Sequence, residues 1–170
     1  MPRSRALPIL VSLLLLGGPA AAAPRTGSDS RLPVPRYESL AAAEVYGRRG
    51  PGQDHRIDWV YRARGLPVRV LEEAGPWRKV KDPAGDEAWI HARNLSPNRT
   101  VLVAGGAGGR LAVRTAPRPE ARLVAYAERG VIAALKECLG GWRRIEVGDR
   151  AAGWVAAEDV WAGEDCTLPE

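Results

Sequence analysis

Apolar and polar residues alternate over short stretches of this chain, and no helical period is sustained. Val68 and Val70 flank a charged arginine, and the segments WRKVKD (77–82) and EAWIH (87–91) alternate on either side of PAGD. Alternation with a period of two predicts strands with one buried face, and a Pro/Gly-containing connection predicts a hairpin. The segment SLAAAEV (39–45) contains helix formers but is long enough for one or two turns at most. Many short strands predict a small barrel or sandwich.

The strand pattern occurs twice, offset by 65 residues. WVYRARGLPVRVLEEAGPWRKV (59–80) lies over VAYAERGVIAALKECLGGWRRI (124–145). This offset aligns Tyr61 with Tyr126 and Gly65 with Gly130, and it also aligns two pairs of tryptophans, Trp77 with Trp142 and Trp89 with Trp154. Near the start of each copy, RRGPG (48–52) aligns with RTAPR (114–118) at an offset of 66. The repeat predicts two copies of one small module.

The ordered motifs of each copy resemble the bacterial SH3-like (SH3b) family. VYGRRGPG (45–52), RGLPVRVLEEAGPWRKV (64–80) and EAWIHARNL (87–95) carry the likeness. In the second copy, VRTAPR (113–118) keeps Arg114 and Pro117 but lacks both glycines. The resemblance implies an all-β protein of two tandem small SH3-like β-barrels. The expected segments are a signal peptide (1–22), a linker (23–39), domain 1 (40–103), a flexible Gly-rich hinge (104–108), domain 2 (109–162) and a C-terminal tail (163–170).

Strand parity places the repeated tryptophans on the outside of each barrel. If Val80 and Ile90 face the core, then Trp77, Trp89 and His91 point outward, unless a bulge intervenes. Tryptophans on neighbouring strands could also pack as a cross-strand pair. They could cap a small core, or they could form an aromatic shelf for a ligand. Because SH3b relatives are associated with peptidoglycan and other envelope ligands, the resemblance implies a candidate ligand site formed by Tyr46, Trp59, Tyr61, Trp77, Trp89 and His91.

The N-terminal residues have the features of a secretory signal peptide. Arg3 and Arg5 precede an apolar run (6–16), and small residues follow it. We therefore expect a periplasmic or secreted monomer with no membrane span in its mature form. Lysine and arginine together number 25, and the lysines are Lys79, Lys81 and Lys136, which leaves 22 arginines. This excess of arginine over lysine is typical of a GC-rich bacterial genome.

The formal net charge of +5 does not indicate a nucleic-acid partner. Arg3 and Arg5 belong to the predicted leader, and the two modules are each nearly balanced in charge. Nucleic-acid binding needs basic residues concentrated on one face. The Gly-rich segment VLVAGGAGGRLAVR (101–114) precedes a strand rather than a helix, so it does not predict a phosphate site.

The two cysteines, Cys138 and Cys166, are expected to form a disulfide in an exported protein. A redox pair would need a Cys-x-x-Cys spacing, and a zinc site would need more ligands. Both histidines, His55 and His91, lie in the first module, whereas both cysteines lie in the second module or its tail, so no Cys–His catalytic pair is expected. We expect no metal and no cofactor.

These features together favour a non-catalytic exported binding protein that recognises peptidoglycan peptide or another envelope component. An adaptor subunit that binds another envelope protein is the alternative. A cell-wall hydrolase accessory with its own activity is a third and weaker interpretation, because no pair of carboxylates stands out.

Overall fold

The computed structural model describes residues 25–166, so the predicted signal peptide lies outside the described residues. The described chain contains β-strands and three short 3₁₀ turns but no α-helix, which confirms the all-β prediction. No helix among these residues is long and apolar enough to cross a bilayer. The strands form a two-stranded hairpin at the N-terminus and two seven-stranded antiparallel sheets.

The N-terminal hairpin consists of β1 (Arg25–Thr26) and β2 (Pro33–Val34). The strands of the first seven-stranded sheet are β3 (Arg36–Leu40), β4 (Val45–Arg48), β5 (Ile57–Tyr61), β6 (Pro67–Ala74), β7 (Trp77–Lys81), β8 (Glu87–His91) and β9 (Leu95–Ser96). Their order in the sheet is β5-β4-β8-β7-β6-β3-β9. A 3₁₀ turn at Ala92–Asn94 joins β8 to β9.

The strands of the second sheet are β10 (Thr100–Val103), β11 (Arg110–Arg114), β12 (Leu123–Glu128), β13 (Ile132–Leu139), β14 (Trp142–Val147), β15 (Ala151–Ala156) and β16 (Val160–Trp161). Their order, β12-β11-β15-β14-β13-β10-β16, repeats that of the first sheet. A 3₁₀ turn at Ala157–Asp159 precedes β16, and another lies at Ala107–Gly109. The two barrels therefore have one topology, as the sequence repeat predicts.

The inward positions of each barrel are filled by branched aliphatic side chains, as the alternating pattern predicts. Val68, Val70, Val80 and Ile90 are fully buried in the first barrel, and Ile145 and Val155 are fully buried in the second. The long strands β6 and β13 each contain a register shift at the same place, after Val70 and after Leu135. Such bulges bend a strand and help a small sheet to close on itself.

The repeated Gly-x-Trp-Arg segment forms the hairpin between the two longest strands of each barrel. Gly75 has a φ of +53°, in the left-handed region that favours glycine, and Gly140 has a φ of +51°. The following arginine folds back over this turn, where Arg78 donates to the Gly75 carbonyl at 2.7 Å and Arg143 donates to the Gly140 carbonyl at 2.7 Å. The motif therefore stabilises the hairpin turn through contacts within the motif itself.

The strand pairing differs from the expected domain boundary and hinge. Thr100–Val103 (β10) was expected to end domain 1, but it pairs with β13 and β16 of the second sheet. The segment 104–108 is consequently a loop inside the second barrel, between β10 and β11, and not a hinge between barrels. Similarly, Arg36–Leu40 (β3) lies almost wholly in the expected linker 23–39 but pairs with β6 and β9 of the first barrel.

The contacts between the two barrels include a pair of aromatic rings and a buried arginine. Tyr37 of β3 packs edge-on against Trp161 of β16, with ring centroids 5.2 Å apart, and its hydroxyl donates to the Glu164 carboxylate. The Arg99 guanidinium lies 5.3 Å from the Tyr37 ring centroid and donates to the Ala162 carbonyl at 3.1 Å. Burial of Tyr37 and its hydrogen bond to Glu164 raise its pKa. These contacts oppose free rotation of the barrels about their connection.

Each barrel uses one equivalent position to fasten a terminal segment of the chain. In the first barrel Glu73, paired across the hairpin with Arg78, accepts hydrogen bonds from the backbone of Asp29 and Ser30 after the N-terminal β1 strand. In the second barrel the same position is Cys138, which is bonded to Cys166 in the C-terminal tail. The predicted disulfide is thus confirmed.

Candidate functional site

A surface pocket of about 270 Å³ opens on the first barrel where β4, β7 and β8 lie side by side. Trp77 stands directly opposite His91 in the β7–β8 pairing, and the two rings meet at a centroid distance of 5.3 Å. The lining residues are Tyr46, Arg48, Gln53, Trp77, His91, Arg93 and Asn94. Trp77 is only 8% exposed, so a small part of its ring reaches the pocket.

His91 is oriented by the turn that follows it. Its Nδ1 accepts a hydrogen bond from the backbone N–H of Arg93 at 3.2 Å. Burial lowers the pKa of His91, and the positive charges of Arg93 and Arg78 lower it further. The ring is therefore neutral at neutral pH, and since Nδ1 is an acceptor, the proton is assigned to Nε2.

The charged groups at this pocket are all of one sign. Arg48 and Arg93 line it, and no carboxylate from the described residues 25–166 does so. Arg48 is held in place by a hydrogen bond of 2.7 Å from its Nη1 to the His55 carbonyl. A pocket with guanidinium groups next to aromatic rings is suited to a ligand that carries a carboxylate beside an apolar group.

The second barrel has a pocket of about 380 Å³ at the equivalent place. The strand registers define which positions of the two barrels are equivalent. Arg48 pairs with Trp89 in the first barrel, and Arg114 pairs with Trp154 in the second. In the same way, Trp77 pairs with His91, and Trp142 pairs with Ala156. Six positions line both pockets: Tyr46 and Ala112, Arg48 and Arg114, Gln53 and Pro119, Trp77 and Trp142, His91 and Ala156, Asn94 and Asp159. The arginine and the tryptophan are unchanged between the copies.

The structure brings together three of the six candidate ligand-binding residues, namely Tyr46, Trp77 and His91. Trp59 is 42% exposed on the edge strand β5, and Trp89 is half-buried on β8, but neither lines the pocket. Trp77 does not pair with Trp89 across the strands, since Trp89 stands opposite Lys79. The suggested tryptophan pair is therefore wrong.

Tyr61 cannot offer its ring to a ligand on the surface, which corrects that part of the expectation. It is 8% exposed and belongs to the core of the first barrel. Burial raises its pKa, and the negative charge of Asp82 raises it further. Tyr61 pairs with Val45 as Ala127 pairs with Leu111, so Ala127 is the structural equivalent of Tyr61 in the second barrel. The sequence repeat aligned Tyr61 with Tyr126, which is one position away from that equivalent.

Sequence reasoning missed Arg48, Gln53, Arg93 and Asn94 as residues of the pocket. Arg48 and Arg114 could have been found, because each is the last residue of a short strand and they keep their place at an offset of 66. The other three lie in loops and turns whose residue types change between the copies.

Comparison with known proteins shows which family contains this pair of barrels. A family model described as the bacterial SH3 domain matches residues 41–97 and, a second time, residues 107–162. The chain belongs to the bacterial SH3 domain family. Bacterial SH3 domains are cell-wall binding modules and are typically non-catalytic, and they are usually found outside the cell or in its envelope. No curated protein matches the chain.

Two solved structures from Trichomonas vaginalis are similar to the chain at low identity. One is described as the structure of NlpC1, with 13% identity and a TM-score of 0.34 over 84% of this chain and 51% of that one. The other is described as the structure of NlpC2, with 11% identity and a TM-score of 0.33 over 75% of this chain and 48% of that one. The chain thus spans about half the length of these proteins.

Among residues 25–166 there is no group of three or more histidine, cysteine, aspartate or glutamate side chains placed to hold a metal ion. Both cysteines are in the disulfide.

Proposed function

We propose that this chain is a non-catalytic binding protein of the bacterial envelope, exported by its leader, and that its first barrel binds a carboxylate-bearing peptide of the cell wall at the Arg48–Trp77 pocket. The observation that carries the proposal is the recurrence of that pocket, with the same arginine and tryptophan, at equivalent positions of both barrels. Membership of a family of cell-wall binding modules supports it.

The chemistry of the first pocket selects for negative charge. The planar guanidinium of Arg48 matches the two oxygens of a carboxylate, and Arg93 adds a second positive charge. His91 contributes a neutral N–H donor. Trp77 and the ring of Tyr46, which is 46% exposed, give apolar contact for the neighbouring part of the ligand. Peptides of the bacterial wall contain free carboxylates beside short aliphatic side chains, so they have the required character.

A shallow pocket of this size favours weak binding at each site, and the pairing of two sites compensates for it. Because the barrels are held together through Tyr37 and Trp161, a polymer that reaches both pockets meets the second at a raised effective concentration. A repeating wall polymer would therefore be bound better than any of its isolated fragments.

Co-sedimentation with purified peptidoglycan tests the proposal. We expect the full-length chain to sediment with the polymer, and we expect Arg48→Ala and Arg93→Ala each to weaken binding several-fold. The matched control is Arg49→Ala, which removes the same charge from the adjacent residue, whose side chain pairs with Asp58 at 3.0 Å outside the pocket. If Arg49→Ala weakened binding as much as Arg48→Ala, or if the wild-type chain stayed in the supernatant, the proposal would be wrong.

An adaptor that binds another envelope protein is the second candidate function, and the outermost strands favour it. In the paired order of each sheet, β5 and β12 lie at one end and carry exposed apolar side chains: Ile57, Trp59 and Val60 on β5, and Leu123, Val124 and Tyr126 on β12. An exposed strand edge can accept an extra strand from a partner. A photo-crosslinker at Trp59 would capture an envelope protein if this function holds, whereas one at the exposed Arg150 would not.

A further inference from the structure

The two equivalent pockets differ in the sign of the charge they present. The first is lined by basic and neutral side chains, whereas in the second the position of Asn94 is taken by Asp159. Arg114 is retained, and Arg110 adds a second basic group. The second pocket therefore presents both a carboxylate and guanidinium groups to the same space, which the first does not.

The position of Asp159 is fixed by its backbone. Its carbonyl oxygen accepts hydrogen bonds from the N–H groups of Ala104 and Gly105, at 2.9 and 3.0 Å. A side chain on Gly105 would crowd the carboxylate, because a Cβ there would lie 2.9 Å from Asp159 Oδ1. Within residues 25–166 no hydrogen bond or ion pair engages the Asp159 carboxylate, so its acceptor capacity is available to a ligand.

The basic side of the second pocket is also oriented. Arg114 donates from Nη1 to the Ala121 carbonyl at 2.9 Å, which leaves its other N–H groups for a ligand, as Arg48 is held by His55 in the first barrel. Arg110 is exposed at the start of β11. A ligand oxygen and a ligand ammonium could thus be bound in one pocket by groups of opposite charge.

The remaining differences make the second pocket wider and more apolar. Tyr46 and His91 are replaced by Ala112 and Ala156, and Gln53 is replaced by Pro119. Trp142 is kept, and Tyr126, which is 58% exposed, stands at the rim. The volume rises accordingly from about 270 to about 380 Å³. There is room for an aliphatic side chain between the charged groups and the rings.

We infer that the second barrel binds the zwitterionic end of an amino acid with an aliphatic side chain, with its ammonium group at Asp159, its carboxylate at Arg114 and its side chain against Trp142. This inference rests on the proposed function, since it assumes that the shared pocket is a binding site. It assigns the two barrels different ligand chemistry: an anionic group for the first and a group with both charges for the second.

Three small probes with the same side chain separate these chemistries: leucine, which carries both charges, N-acetyl-leucine, which carries only the negative one, and leucinamide, which carries only the positive one. Each is titrated into the full-length, disulfide-bonded chain, and the indole N–H signals of Trp77 and Trp142 are followed by NMR. The Trp142 signal is expected to respond to leucine with an affinity about fivefold higher than to either single-charge probe, the scale of one solvent-accessible ion pair. The Trp77 signal is expected to respond to N-acetyl-leucine.

Exchanging the two residues tests the role of the carboxylate. Asp159→Asn introduces the residue of the first pocket, keeps the backbone carbonyl and should remove the preference for leucine over N-acetyl-leucine at Trp142. Asn94→Asp should create that preference at Trp77. Equal affinity of Trp142 for leucine and N-acetyl-leucine in the wild-type chain, or a preference that survives Asp159→Asn, overturns the inference. If Trp77 is also silent to N-acetyl-leucine, the proposed function of the first pocket fails with it; a response at Trp77 alone leaves that function standing.

Discussion

Neutralising one buried carboxylate should weaken the first barrel in a way that depends on pH. The side chain of Glu73 is fully buried and receives hydrogen bonds from the backbone of Asp29 at 3.0 Å and of Ser30 at 2.9 Å. It also accepts from the Ser30 hydroxyl at 2.6 Å and from Arg36 at 2.8 Å. Burial raises the pKa of Glu73, but these hydrogen bonds outweigh it and lower the pKa from 4.5 to about 2.

The lowered pKa sets both the size and the pH range of the effect. A carboxyl whose pKa falls from 4.5 to about 2 on folding contributes about 3 kcal/mol at pH 7, since each pH unit is equivalent to about 1.4 kcal/mol. Because the pKa is lowered on folding, this contribution is complete above pH 4.5 and disappears as the pH falls towards 2. At pH 3 about 1 kcal/mol is left. Glu73→Gln should therefore cost about 3 kcal/mol at pH 7 and about 1 kcal/mol at pH 3.

Urea unfolding followed by NMR gives the free energy of unfolding of each barrel separately. The amide signal of Val80 reports on the first barrel, and that of Ile145 reports on the second. The loss of stability should appear in the first barrel, reported by Val80, and not in the second. Glu72→Gln is the matched control, because the neighbouring Glu72 is exposed and its ion pair with Lys79 spans 3.6 Å, so about 0.5 kcal/mol or less is expected. A loss below about 1 kcal/mol at pH 7, or one of equal size at pH 3, would refute the reasoning.

Three further predictions follow from other contacts. Tyr37→Ala removes the ring that packs on Trp161, so ¹⁵N relaxation should show the barrels tumbling with separate correlation times; unchanged tumbling would contradict the interface. Replacing both cysteines with serine opens a loop with a sequence separation of 28 and should cost roughly 3 kcal/mol in urea unfolding of the second barrel, with no change in the first. Gly75→Ala places a side chain at a φ of +53° and should cost about 1 kcal/mol by the same assay, whereas an equal loss in the control Gly141→Ala would argue against backbone strain.

The parts of the fold that sequence could predict are those set by local alternation and by the repeat. The buried Val80 and Ile90, and their equivalents Ile145 and Val155, follow from strands with one inward face. The Cys138–Cys166 bond follows from having two cysteines in a chain that is predicted to be exported. The buried positions recur at an offset of 65, so each copy supports the interpretation of the other.

The first strand of each barrel was misplaced because it breaks that regular offset. Leu40 pairs with Leu95 as Val103 pairs with Val160, which gives an offset of 63 between the equivalent strands. The loop that follows β10 is correspondingly longer and rich in glycine, a composition typical of linkers. Strand pairing over more than thirty residues decides where β10 belongs, and single-sequence patterns do not contain that information.

The candidate site was only half predicted, because parity gives the face of a strand but not the depth of a side chain. Trp77 packs against His91 and is only 8% exposed, so less of its ring is available than parity predicts. The basic residues that give the pocket its charge come from a strand end, at Arg48, and from a turn, at Arg93. Their convergence depends on how the sheet closes, which the pattern along the chain does not specify.

The central claim is that equivalent pockets of both barrels bind wall peptide, and a soluble peptidoglycan fragment tests it most directly. Amide and indole NMR shifts of the full-length chain would be mapped as the fragment is added. The account predicts that the shifted signals cluster at Tyr46, Arg48 and Trp77 in the first barrel and at Arg114 and Trp142 in the second. Shifts confined to the outermost strands β5 and β12, with both pockets unaffected, would contradict it.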